Sequence, residues 1–191
     1  YEYEKNARVA SDGENFCVVW QSDPLGSPIG INGTFVSKSG DVSHPDGIQI
    51  FLGPHSASTP DLCFDGSRYF IVWCDGGYTL GVYGLFLSTD GTPSPVNGEL
   101  ILFMDCSTYT PAVCWNGELF YIAFAGFISV HQTKIVGARF NHLGECLDQE
   151  AVLLSTAPIQ DAYSPDVCWD GNNFLASFGA TYLYDNYKIM A

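Results

Sequence analysis

Hydrophobic residues in this chain fall in short runs broken by Gly, Pro, Asp and Asn, with no long stretch at helical spacing. The clearest case is Pro165-Asp166-Val167-Cys168-Trp169-Asp170-Gly171, followed by Asn172-Asn173-Phe174-Leu175-Ala176-Ser177-Phe178. An apolar run, an Asp-Gly turn and a second apolar run predict a β-hairpin. The pattern recurs at Pro60-Asp61-Leu62-Cys63-Phe64-Asp65-Gly66 before Tyr69–Trp73, and at Pro111-Ala112-Val113-Cys114-Trp115-Asn116-Gly117 before Leu119–Phe124. A weaker copy, Val9-Ala10-Ser11-Asp12-Gly13, precedes Phe16–Trp20. The turn pairs are thus Asp12/Gly13, Asp65/Gly66, Asn116/Gly117 and Asp170/Gly171, spaced by 53, 51 and 54 residues. A near-constant period of this size signals repeated supersecondary units.

A second landmark keeps the same register. Ile31-x-Gly33, Val82-x-Gly84 and Ile135-x-Gly137 mark a third strand in each unit, and Gly40, Gly91 and Gly144 close the turns after them. A glycine inside a strand predicts a bulge or a close approach. The expected fold is all-β: four tandem antiparallel four-stranded repeats in a single propeller-like domain spanning residues 1–191, with the last unit incomplete. The units run over residues 7–59, 60–110, 111–164 and 165–191. A sandwich of successive hairpins is the alternative, and the regular period counts against it. Tyr1 to Asn6 alternate aromatic and polar residues, so Tyr1 and Tyr3 are expected on a strand that clasps the fourth unit or is donated to another subunit.

The motif Pro-x-Val-x-Trp-Asp-Gly-x-x-Phe-Leu, followed by Ile-x-Gly-x-Arg, resembles the propeller-like repeats of secreted and cell-surface proteins, mostly bacterial and often of unknown function. Pro165–Phe178 carries the first part and Lys134–Arg139 the second. The resemblance implies architecture and an extracellular setting, and it carries over no catalytic set.

Charge narrows the partners. Twenty-one acids against seven Lys and Arg give a formal charge of -14, with no clustered positive charge. Nucleic acid is therefore not an expected partner. No apolar run is long enough to insert into a membrane. Tyr1 reads as a processed or experimentally defined start, and Asn32-Gly33-Thr34 is a glycosylation sequon consistent with secretion. Cys63, Cys114 and Cys168 share one repeat position and read as small buried hydrophobes. Cys17, Cys74, Cys106 and Cys146 are placed irregularly, and one or two disulfides are expected among them.

Candidate chemistry is sparse. Most acids lie in turns, where the backbone accounts for them, and nothing marks a nucleophile. No cofactor is expected; calcium is the candidate ion, at Asp161, Asp166, Asp185 and the Asp-Gly turns, although no EF-hand spacing exists. Aromatic residues with nearby acids recur at the end of the second strands, as sugar sites require: Trp20 with Gln21 and Asp23, Trp73 with Asp75 and Tyr78, and Phe178 with Tyr182, Tyr184 and Asp185. Trp20, Trp73, Phe124 and Phe178 also read as core between blades, which leaves Tyr78, Tyr182 and Tyr184 as the surface candidates. The expected function is a secreted, non-enzymatic structural or assembly protein, such as a homo-oligomer or filament subunit completed by exchange of Tyr1–Asn6. The alternative is a glycan-binding, lectin-like propeller, and a hydrolase is the third reading.

Overall fold

The computed structural model describes residues 3–25, 28–53, 56–75, 81–103, 110–129, 132–156, 159–182 and 185–190. Among them, fifteen strands form four antiparallel sheets. The first sheet is β1 (Tyr3–Ser11), β2 (Asn15–Asp23), β3 (Gly30–Ser37) and β4 (Ile48–Phe51). The second is β5 (Ala57–Phe64), β6 (Arg68–Asp75), β7 (Gly81–Ser88) and β8 (Pro93–Phe103). The third is β9 (Ala112–Trp115), β10 (Phe120–Ser129), β11 (Gln132–Phe140) and β12 (Val152–Leu153). The fourth has β13 (Ile159–Trp169), β14 (Phe174–Tyr182) and β15 (Asp185–Met190). Each sheet is an up-and-down meander. β1 packs beside β5, β5 beside β9, and β9 beside β13, so the first strand of every sheet faces a common axis. These are the blades of a propeller-like fold.

Each sheet is apolar on the faces that pack against a neighbouring blade. One cluster joins Cys17, Val19 and Ile31 to Leu62, Tyr69, Ile71 and Trp73 across the first two blades. A second joins Phe70, Val72 and Phe86 to Val113, Phe120 and Ile122. A third joins Ala123 and Ile135 to Val167 and Phe178. The burial patterns follow from these contacts. β6 has blades on both faces and is buried continuously from Tyr69 to Asp75. β2 packs against one neighbour, and its burial alternates from Cys17 to Val19 to Gln21. Trp73 is fully buried; a side chain of its size contributes on the order of 4–6 kcal/mol before entropy is set against it.

The Asp-Gly hairpins are built by the side chain of the first residue. Asp170 Oδ1 accepts from the amides of Asn172 and Asn173, both at 2.7 Å, while Gly171 takes φ 101°. Asn116 does the same with Glu118 and Leu119 at 2.9 and 2.8 Å, so the turn requires an oxygen and not a charge. The Asn173 amide first, then that of Asn172, holds the Asp170 carboxyl below the usual carboxylate range.

Tyr3, Glu4 and Lys5 pair with Asp23, Ser22 and Gln21 of β2. They extend the inner strand of the first blade; Tyr1 lies outside the described residues. The strand glycines mark close approach. A Cβ on Gly84 would lie 2.9 and 3.1 Å from ring atoms of Phe70, which is stacked on Phe86 at a centroid distance of 4.6 Å. Gly84→Ala is therefore expected to destabilise the protein by roughly 1–3 kcal/mol through overpacking. Denaturant unfolding monitored by circular dichroism checks this, with Gly117→Ala at an open turn serving to isolate a purely backbone effect.

Candidate functional site

Three of the four inner strands share one irregularity. In β1 the pairing shifts between Lys5 and Arg8, in β5 between Ser58 and Asp61, and in β13 between Tyr163 and Asp166. Each shift is a one-residue bulge, in which Asn6-Ala7, Thr59-Pro60 and Ser164-Pro165 stand opposite Trp20, Trp73 and Phe178. Asn6, Thr59 and Ser164 adopt φ 57°, 52° and 50°. This is the left-handed region, unusual for any side chain and most unusual for a β-branched Thr. Proline is tolerated at such a point because the ladder is already interrupted.

The bulges re-aim the residues that follow. Arg8, Asp61, Ala112 and Asp166 occupy one repeat position, with the same 53-, 51- and 54-residue spacing as the turns. All four line a single cavity of about 380 Å3, together with Thr110, Pro111, Ser164 and Pro165. Residues from all four inner strands or their approaches thus meet on the axis.

Electrostatics distinguish Asp61 among them. Its Oδ2 accepts from the Val113 amide at 2.8 Å, and its Oδ1 lies 3.8 Å from Arg8 Nε. Burial pushes the Asp61 carboxyl up to about 6, and the nearby Asp166 carboxyl adds to that push; the Val113 and Leu62 amides and Arg8 oppose it. Asp166 is exposed, and its Oδ1 accepts from the Val167 amide at 2.9 Å. Thr110 Oγ1 is buried with no hydrogen-bond partner among the described residues. A guanidinium, two carboxyls and an unsatisfied hydroxyl can together orient a hydroxyl-rich ligand, and the raised Asp61 can hold or deliver a proton near neutral pH.

Of the residues selected from sequence, the calcium candidate Asp166 lines this cavity, and the other described ones lie elsewhere. Asp75 is buried at the end of β6. Tyr78 and Tyr184 lie outside the described residues, as do the side chains of Tyr182 and Asp185. Trp73 and Phe124 are fully buried and Phe178 nearly so, each in the packing between blades. Asn32 sits in mid-β3, paired with Trp20 and Gln49, and its sequon partner Thr34 accepts from the His44 amide at 3.2 Å. Of the calcium candidates, Asp161 Oδ1 accepts from the Thr133 amide at 3.0 Å. The described residues contain no cluster of three or more His, Cys, Asp or Glu that could hold a metal ion.

The cysteines differ from expectation as well. Cys17 and Cys146 are free thiols, and burial pushes Cys17 up to about 12; Cys74 is buried, and Cys106 lies outside the described residues. Cys63 and Cys114 are half-buried, and Cys168 is exposed, because no further blade covers its face of β13 among the described residues. Sequence alone does not bring the axial set together: it offers Asp166 only as a calcium candidate and Asp61 only as part of a strand motif. The available signal was a polar residue at one repeat position of otherwise apolar strands.

No protein-family model and no curated protein matches the sequence. Solved structures match along nearly the whole chain. The α-L-arabinanase of Cellvibrio cellulosa is similar at 13% identity and TM-score 0.60, covering 97% of this chain and 72% of that one. The endo-arabinase of Bacteroides thetaiotaomicron matches at 14% and 0.63, covering 96% and 72%. A neuraminidase-like protein from A/bat/Guatemala matches at 12% and 0.57, covering 97% and 53%. The chain thus spans between 53% and 72% of the lengths of these structures. At such identity the likeness establishes the propeller-like fold. It also overturns the expectation of a non-enzymatic structural or filament protein, because solved structures that share the fold are carbohydrate-cleaving enzymes and neuraminidase-like proteins.

Asp61 gives the site a pH signature. Its folded pKa lies above the ordinary 3.8, so the folded state favours the protonated form. That stabilisation is full below about pH 3.8 and is lost as pH rises through about 6. Asp61→Asn keeps the acceptor for Val113 and removes the titration. Its stability relative to the wild type is expected to increase by roughly 1–3 kcal/mol between about pH 4 and pH 7, measured by urea unfolding at each pH.

Proposed function

We propose that this protein is a carbohydrate-active propeller that takes a saccharide in its axial cavity. The observation that carries this reading is the convergence of Arg8, Asp61 and Asp166 from three blades, with the Thr110 hydroxyl beside them. A sugar presents donors and acceptors in pairs. Carboxyls accept from adjacent hydroxyls, Arg8 donates, and Thr110 does either. The propeller likeness supports the reading, since an α-L-arabinanase and an endo-arabinase share this fold. An extracellular setting fits such a substrate.

A second reading, cleavage of the bound glycoside, is favoured by the pairing of Asp61 with Asp166. Glycoside hydrolysis needs one carboxyl that stays protonated near neutral pH and a second carboxyl close to it. Asp61, pushed up to about 6, suits the proton donor, and Asp166 is the second group.

The test is a glycan array followed by calorimetric titration with the saccharides that bind, neutral arabino-oligosaccharides and sialosides both being included. Asp166→Ala is expected to weaken binding by about tenfold or more, while Asp90→Ala at a remote turn leaves it unchanged. Absence of any saccharide binding, or equal binding by Asp166→Ala, overturns the reading. Release of reducing sugar that disappears in Asp61→Asn, with binding retained, supports cleavage; binding without release leaves recognition alone.

A further inference from the structure

The units differ at one buried position next to the site. The residue after the aromatic at this position of the second strand (Trp73, Phe124 or Phe178) is Cys74 in the second blade, Ala125 in the third and Gly179 in the fourth, all small. In the first it is Gln21, which is only 3% exposed. A large amide in a slot that otherwise holds small residues is a local exception, and such exceptions concentrate where a site is being held.

Its contacts show what it holds. Gln21 Oε1 accepts from Asn6 Nδ2 at 3.0 Å and from the Thr59 backbone amide at 3.3 Å. Asn6 and Thr59 are the left-handed residues of two adjacent bulges, and each lies two positions before an axial group, Arg8 or Asp61. One oxygen therefore ties together the two strained backbone segments that aim the ion pair. Left-handed backbone at a residue other than glycine costs of order 1–3 kcal/mol and persists only where its surroundings fix it. We propose that Gln21 is a positioning residue that locks the bulges of the first two blades together and so sets the approach of Arg8 to Asp61.

This rests on the axial site described above but not on the identity of its ligand. The groups facing Asp61 are Arg8 from β1, Asp166 from β13, Cys63 on its own strand and Cys114 from β9. Of these, Arg8 alone favours the ionised carboxyl, and the bulges that Gln21 ties together aim Arg8 and Asp61. Gln21→Met keeps the volume and removes the acceptor. The Asp61 carboxyl, followed by carbon NMR of aspartate-labelled protein and assigned with Asp61→Asn, is then expected to titrate about half a unit or more higher. Gln21→Glu keeps an acceptor for both donors. It is expected to restore the chemical shifts of the Asn6 and Thr59 amides that Gln21→Met displaces.

Ser22→Ala is the comparison for stability alone. It removes the hydrogen bond from Ser22 to Glu4 on the neighbouring strand β1 and touches neither bulge. It is expected to leave the Asp61 titration where it is in the wild type. If Gln21→Met does not fold, Asn6→Ala removes one of the two bonds and is expected to give a smaller upward shift. An unchanged Asp61 midpoint in whichever of these variants folds, or an equal shift in Ser22→Ala, overturns the proposal. Failure of the wild type to bind any saccharide leaves this titration unaffected, so the two readings fall separately.

Discussion

The structure turns on a backbone constraint, the bulge that interrupts three of the four inner strands, β1, β5 and β13, each opposite a large aromatic residue. Blades pack through Trp73, Phe124 and Phe178 and their neighbours, which fill the space between sheets. A regular inner strand would continue its alternation past these rings. The extra residue at Ala7, Pro60 or Pro165 shifts that alternation and bends the strand, so the next side chain faces the axis. Packing and site are thus separated by one residue, and each can follow its own rules.

Much of the architecture was legible because it rests on local chemistry. A hairpin whose first turn residue must accept two amide hydrogen bonds requires Asp or Asn, and the residue after it must tolerate positive φ. Those requirements repeat at Asp65, Asn116 and Asp170, and the period follows from them. The strand glycines were legible as a choice between bulge and close approach, and the rings of Phe70 and Tyr121 decide for the latter.

The site was much less legible. Bulges have no sequence signature beyond a proline in a strand, and here the prolines look like the start of the strand. Without the bulge, Asp61 and Asp166 appear as ordinary positions on a half-buried face. Aromatic residues drew attention to the ends of the second strands, yet a ring that packs between sheets and a ring that stacks on a sugar are the same residue type. The function failed to follow from the architecture for a different reason: propellers carry many activities, and the activity belongs to the groups grafted onto the frame.

The shared repeat position has a consequence for how such a protein can change. Any duplication of one blade copies the hairpin, the bulge and the axial slot together, so every new unit arrives already aimed at the centre. A single codon then decides whether that slot presents a cation, as at Arg8, an acid, as at Asp61 and Asp166, or nothing, as at Ala112. The chemistry of the axis is combinatorial, and it can be rewritten one blade at a time without redesign of the packing that holds the blades together.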